Sequence, residues 1–321
     1  REVGRGHRRR ISPHSSRSNP HYEVTVARTK IAWNPIIQNY FDTHASDIQL
    51  FEQSQKVQMA ALVADGRFAP EADEVYHTST TAQGALQLYG LNKWANDNHY
   101  DITLHLHLND APDRRERAAG KYDGFAVYVP DHQYSNAAAS LAVGSSIAAR
   151  LAAHHATSTL PQERAGVVED RELIAIGSHN TADAASVLIE YGYIYEPQFQ
   201  NVSILPSAER DYAHATYLGL QDFFKDPVST PSGSVAFPYD WSAVTANKGE
   251  KGAGVYALQA VLHHLGFYPP TGKSFSDCPV SGLAGECTRT AIGAYQSARG
   301  LEATGMLGPA TRAALARDLG Q

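Results

Sequence analysis

Nine residues, Asp101-Ile-Thr-Leu-His-Leu-His-Leu-Asn109, constrain this chain more than any other stretch. The alternation predicts a β-strand, because successive side chains of a strand point to opposite faces. His105, His107 and Asn109 then share one face, and Leu104, Leu106 and Leu108 the other. Three polar side chains on one face near the end of a buried strand are costly unless something satisfies them. A metal, a water network or a substrate would do so, and so would a hydrogen-bonded pair of core histidines.

The flanking sequence supplies the rest of a sheet. Residues 22–28 (YEVTVAR), 122–129 (YDGFAVYV) and 184–189 read as further strands. Helical periodicity runs through residues 46–65, 81–96, 135–155 and 209–224, with Ser46 and Thr80 or Thr81 as N-caps. Alternating strands and helices predict an α/β fold with helices on both sheet faces. Residues 225–238 are rich in Pro, Ser and Gly and read as a linker, followed by short helices over residues 252–319.

Composition narrows the partners. A net charge of -6 gives no broad basic field, so nucleic acid is not expected. No apolar run approaches the ~20 residues that span a bilayer. With only two cysteines, Cys278 and Cys287, a cysteine-built zinc site is not expected, whereas fifteen histidines leave a site of His and carboxylate open.

A second informative stretch is Ser186-Val-Leu-Ile-Glu190. Its carboxylate follows a run of mostly apolar residues at the carboxyl end of a strand, where open α/β sheets bind ligands. A buried Glu beside a cation serves as a general base or acid; a salt bridge to a nearby arginine is the plainer alternative.

Together these segments resemble the zinc-dependent N-acetylmuramoyl-L-alanine amidases of the amidase type 3 family, over residues 22–224. YEVTVART resembles the family's second strand, LHLHLND its zinc strand and SVLIEYGYI the segment bearing the catalytic glutamate, while GFAVYV fits the strand after the zinc strand. The resemblance implies a mixed open sheet, Zn2+ as cofactor, His107 as a zinc ligand and Glu190 as the catalytic residue. His105 and Asn109 become neighbours on the substrate side or behind the ligand, with Asn109 able to orient His107. The family needs two more ligands, a His and a Glu. Counting back from the 22–28 strand places the Glu on Glu2 and the His before residue 1, so the resemblance implies a catalytic domain truncated at its N-terminus. The remaining histidines lack metal spacing, among them His132, His154, His155 and His179, and are expected on the surface or in hydrogen bonds. The run 114–117 (RRER) reads as a solvated loop with a possible role toward the anionic stem peptide, and Glu169, Asp170 and Glu196 as structural.

Residues 252–315 resemble a three-helix peptidoglycan-binding domain through the spacing LQ…G…T…YQ…GL…TG…T, which includes Gln259, Thr288, Gln296, Gly305 and Thr311. Cys278 and Cys287 are spaced for a disulfide, with two buried thiols as the other option. The expected layout is a catalytic domain over residues 1–224, a linker over 225–247 and a wall-binding domain over 248–321. A monomeric enzyme acting on peptidoglycan outside the cytoplasm follows from the resemblance, without nucleic acid or membrane span. Two alternatives stand beside it: a non-catalytic wall-binding protein with a decayed or truncated zinc site, and a zinc peptidase, which the lack of an H-E-x-x-H helix disfavours.

Overall fold

The computed structural model describes residues 24–27, 32–69, 80–111, 114–115, 118, 120–225, 240–275 and 277–319. The chain forms two compact units, Arg1–Thr43 and His44–Gln321. In the first, α1 (Pro35–Thr43) buries Ile37 and Phe41, and Phe41 meets Trp33 edge-on at 5.0 Å. Of the strand predicted at 22–28, Val24–Ala27 is described and does not form a strand; Asn34 N–H donates to the Ala27 carbonyl (2.8 Å). Glu2 lies outside the described residues.

The second unit contains α2 (Ala45–Ala64), α3 (Ala82–Asp97), β1 (Ile102–Asn109), β2 (Ala126–Pro130), α4 (Ala137–Ala152), β3 (Val167–Asp170) and β4 (Ala185–Tyr193). After these come α5 (Pro197–Gln200), α6 (Leu205–Phe224), α7 (Ala253–His264), α8 (Glu286–Ala298) and α9 (Pro309–Asp318). Thr81 caps α3 as predicted, accepting from Gly84 N–H at 3.1 Å. Ser46 does not cap α2, because the helix starts earlier and His44 occupies the N-cap. The predicted 122–129 strand begins only at Ala126. Gly124 (φ +87°) turns the chain there, with the Thr157 carbonyl pressed against it.

The four described strands form one mixed sheet in the order β1-β4-β2-β3. β1 and β4 run parallel, β4 and β2 antiparallel, and β2 and β3 parallel. Leu88, Ala126, Tyr128, Ile176 and Leu188 pack together on one face. On the other, Val127, Val129, Val187 and Ile189 join Val143 and Ile147 of α4 and Tyr212 and Ala215 of α6. Gly219 lets α6 lie directly on α4: a Cβ there would come within 2.5 Å of the Ile147 Cα.

The same apolar cluster continues into α7, α8 and α9 through Tyr256, Leu258, Leu262, Ile292, Tyr295 and Leu315. Two glutamines organise these helices. Gln259 donates to the Leu283 carbonyl and Thr288 and accepts from Ser281 and Gly282 N–H. Gln296 donates to the Met306 carbonyl and Thr311 and accepts from Gly305 N–H. The segments they clamp, SGLAGECT (281–288) and TGMLGPAT (304–311), match in register, so one Gln–Gly–Thr device is used twice; its first glycine is Gly282, not the Gly285 of the predicted spacing. Cys278 and Cys287 form a disulfide.

Where α7 meets α6 the packing has a polar centre. Asp211 of α6, 4% exposed, accepts from the Tyr256 hydroxyl (3.1 Å) and lies 3.0 Å from His155 Nε2. His154 is buried alongside, 5.5 Å from the His264 ring and 6.2 Å from that of His263. Burial, reinforced by His155, His264 and His263 and opposed by Asp211, pushes the His154 imidazole down to about 4. A histidine lowered on folding binds fewer protons when folded. Its contribution to stability is therefore complete above its unfolded value near 6.5 and is lost as pH falls toward 4. The difference is worth about 3 kcal/mol. The unfolding midpoint should drop between pH 6.5 and 4, and the drop should be shallower in His154→Gln; equal pH dependence in the two proteins would refute the assignment.

Candidate active site

β1 and β4 stay in register from Ile102 opposite Ala185 to His107 opposite Glu190. Thr103 donates to the Ser186 hydroxyl across the pair at 2.8 Å, which fixes those two side chains on a common face. With a strand period of two, His105 and His107 share that face with Leu188 and Glu190. Parallel neighbours sit roughly 5 Å apart, so His107 and Glu190 are side by side. The leucine face of β1 is covered unevenly: Leu104 packs on the main core, whereas Leu106 is 56% and Leu108 37% exposed.

Beyond this pair the ladder is interrupted. Asn109 pairs with Tyr193, so β4 spends one more residue than β1 after Glu190. Gly192 makes the bulge possible, with φ +151° and no room for a Cβ, which would lie 2.6 Å from Glu196 Oε1. Such bulges re-aim side chains at strand ends. Glu196, 8% exposed, secures the turn by accepting from Tyr193 N–H (2.7 Å) and Gly124 N–H (3.2 Å), a structural task as predicted.

Burial, assisted by the nearby carboxyl of Glu163, pushes the Glu190 carboxyl up to about 8. Its Oε2 is buried and finds no hydrogen-bond partner among the described residues. The arginine salt bridge considered for Glu190 is likewise absent among the described residues. His105 lies deeper on the same face; burial and His107 lower its imidazole to about 4, while a hydrogen bond to the Ala175 backbone works the other way. A carboxyl with a raised proton affinity beside an imidazole is suited to moving a proton near neutral pH.

The Asn109 side-chain amide donates to Glu163 Oε1 (2.8 Å), and its Oδ1 accepts from Asp110 N–H (2.8 Å). Glu163, 1% exposed, also accepts from the Tyr128 hydroxyl (2.5 Å) and the Tyr193 hydroxyl (2.7 Å). Sequence reasoning singled out Asn109 but passed over Glu163, Tyr128 and Tyr193: one acidic residue in PQERAG carries no periodic signal, and the two tyrosines look like ordinary strand aromatics. Arg114, from the predicted solvated run, pairs with Asp110 and lies 5.3 Å from the Tyr195 ring.

Among the described residues, donor atoms already converge at Asp131, His132 and Glu169. The sequence shows no metal spacing around His132, because Glu169 reaches it only through the pairing of β2 with β3. The cluster sits at the carboxyl ends of β2 and β3. Because β2 runs against β4, with Ala126 opposite Glu190, that is the other end of the sheet from Glu190. Asp131 is also held by Arg171 at 3.1 Å, and Glu169 by His132 at 2.9 Å.

The family model of N-acetylmuramoyl-L-alanine amidase matches residues 41–222, more than half of the chain. The chain belongs to that family. As the amidase sequence implied, a model of the peptidoglycan binding domain matches residues 251–315. Among solved structures, the amidase is similar to the N-acetylmuramyl-L-alanine amidase Ami1 from Mycobacterium smegmatis, at 18% identity and a TM-score of 0.35, over 55% of this chain and 76% of that one. It is similar also to the N-acetylmuramoyl-L-alanine amidase from Clostridium difficile 630, at 14% identity and a TM-score of 0.33, over 55% of this chain and 85% of that one. No curated protein matches the chain. The family makes this chain a peptidoglycan hydrolase by kinship, with its matched region spanning the whole His107–Glu190 sheet. No helix among the described residues is long and apolar enough to cross a membrane.

Proposed function

We propose that the chain hydrolyses the amide between N-acetylmuramic acid and L-alanine with a zinc ion for which His107 and Glu2 serve as ligands, and with Glu190 as the proton carrier. The observation that carries this reading is the Glu190 carboxyl, raised to about 8 and with a buried, unpartnered oxygen, beside His107 on one sheet face. Imidazole and carboxylate donors suit zinc, and both cysteines are committed to a disulfide. When bound, zinc supplies a Lewis acid that polarises the scissile carbonyl and activates water. Glu190 takes the proton from the attacking water and delivers it to the nitrogen of the departing L-alanine. Burial, with the Glu163 carboxyl nearby, lets Glu190 hold that proton between the two transfers. His105, kept neutral by burial, adds no positive charge near His107.

The Asp131–His132–Glu169 group does not serve this role, since it lies at the opposite sheet end and its donors are already engaged. The glutamine-clamped helices hold the enzyme on its polymer and raise the effective concentration of substrate. The reading carries with it a monomer working outside the cytoplasm, on peptidoglycan.

Purified muropeptides incubated with the chain should yield stem peptides with a free L-alanine amine, detected by mass spectrometry. A chelator should stop the release and added zinc restore it. Cleavage inside the stem peptide would overturn the bond assignment, and release that persists in chelator would overturn the metal.

A further inference from the structure

We infer that Glu163 is a positioning residue of this active site, a buried carboxyl that ties together the strand ends bearing His107 and Glu190. The inference rests on the amidase reading for what the site does, but its geometry stands on the structure. Glu163 ends a short 3-10 turn before β3 and is 1% exposed. Its three hydrogen-bond donors come from three different strands. Asn109 lies two residues beyond His107 on β1, and Tyr193 three residues beyond Glu190 on β4. Tyr128 comes from β2, opposite Leu188 and so on the face that carries Glu190.

The placement matters because regular pairing fails at this point. The bulge after Glu190 breaks the β1–β4 register, and β1 is the edge of the four described strands. A strand end at an edge, past a bulge, has few backbone bonds to fix it. Past the bulge, the Ile194 N–H to Asn109 carbonyl bond (2.8 Å) is one tie, and Glu163 adds a side-chain tie to each of the two strands. Ser158 backs the arrangement, 2.9 Å from the Tyr193 hydroxyl, while its own oxygen accepts from Leu160 N–H. Reactive groups need to be held within about half an ångström of their working geometry, and residues behind the reacting groups typically change activity 10–100-fold when lost.

The test uses the full chain loaded with zinc. In Glu163→Gln, kcat on a defined soluble muropeptide should fall about 10–100-fold with KM within about twofold, because substrate contacts are untouched. The Asn109 side-chain amide signals in a 15N–1H spectrum should move at the same time. Tyr193→Phe, which keeps the ring and removes one tie, should lower kcat by a smaller factor and serves alone if Glu163→Gln does not fold. Unchanged kcat in the variants, or kcat falling only in step with the folded fraction, overturns the inference. If the unmodified chain releases no stem peptide, the amidase reading fails. The Asn109 signals then decide the tie on their own: unmoved in Glu163→Gln, they overturn it, and moved, they support it.

Discussion

Glu190→Gln should give a folded protein that retains peptidoglycan binding and releases stem peptide at least about a hundredfold more slowly, the loss expected when a general acid–base group is removed. Glutamine keeps the shape and the acceptor oxygen but can neither take a proton from water nor hand one to the departing nitrogen. Stability separates this outcome from simple damage. The Glu190 carboxyl is raised to about 8 in the folded chain, against an ordinary value of 4.5. A carboxyl raised on folding binds more protons folded than unfolded. It therefore opposes folding increasingly as pH rises from about 4.5 to about 8. Glutamine removes that opposition, so at pH 7 the thermal midpoint of the variant should equal or exceed that of the parent. Activity lost together with the midpoint would reduce Glu190 to a structural residue. Activity retained would mean that another group carries the proton.

How much of this was legible in the sequence depends on whether the signal was local. The Leu/His alternation of β1 announced both the strand and the common face of His105 and His107, because period two is a property of the backbone itself. Thr81 announced its cap for the same reason, and the Gln-Gly-Thr spacing announced the C-terminal helices. The pairing of His107 with Glu190 followed only from resemblance, since 83 positions separate them and register is a tertiary fact. Glu163 and the Asp131–His132–Glu169 group stayed hidden because their partners are far apart in sequence and meet only through strand pairing: β1, β2 and β4 bring the donors to Glu163, and β3 lies beside β2 to bring Glu169 to His132. His154 and His155 were expected on the surface or in hydrogen bonds, with no sign of where they would be buried. Their burial comes from α6 and α7, and nothing within residues 135–155 encodes that neighbour. The short β3 was missed too: four residues between turns give too little alternation to detect.

Asp211→Ala should cost about 3 kcal/mol of stability, in the range seen when one partner of a buried polar pair is removed. The arithmetic follows from what the substitution strands. Tyr256, fully buried, loses the acceptor of its hydroxyl, and His155 loses the carboxylate beside its Nε2. Burial pushes the Asp211 carboxyl up, but His155, His154 and Tyr256 together hold it below its ordinary value, so all three neighbours stabilise the charged form. An unsatisfied buried polar group typically costs about 1–3 kcal/mol, and here the Tyr256 hydroxyl and the His155 imidazole both lose the Asp211 carboxylate, in a cluster shared by α6 and α7. Asp211→Asn keeps the volume and an acceptor for Tyr256, and should cost clearly less. Denaturant unfolding of the three proteins at pH 7 makes the comparison. Because the apolar cluster runs unbroken from the sheet into α7, the parent and the variants should each unfold in a single transition, shifted for Asp211→Ala. Two separated transitions in the parent would mean that the C-terminal helices unfold independently of the sheet. A shift below about 1 kcal/mol, no more than an ordinary single hydrogen bond, would mean that the contact with α7 rests on its apolar area alone.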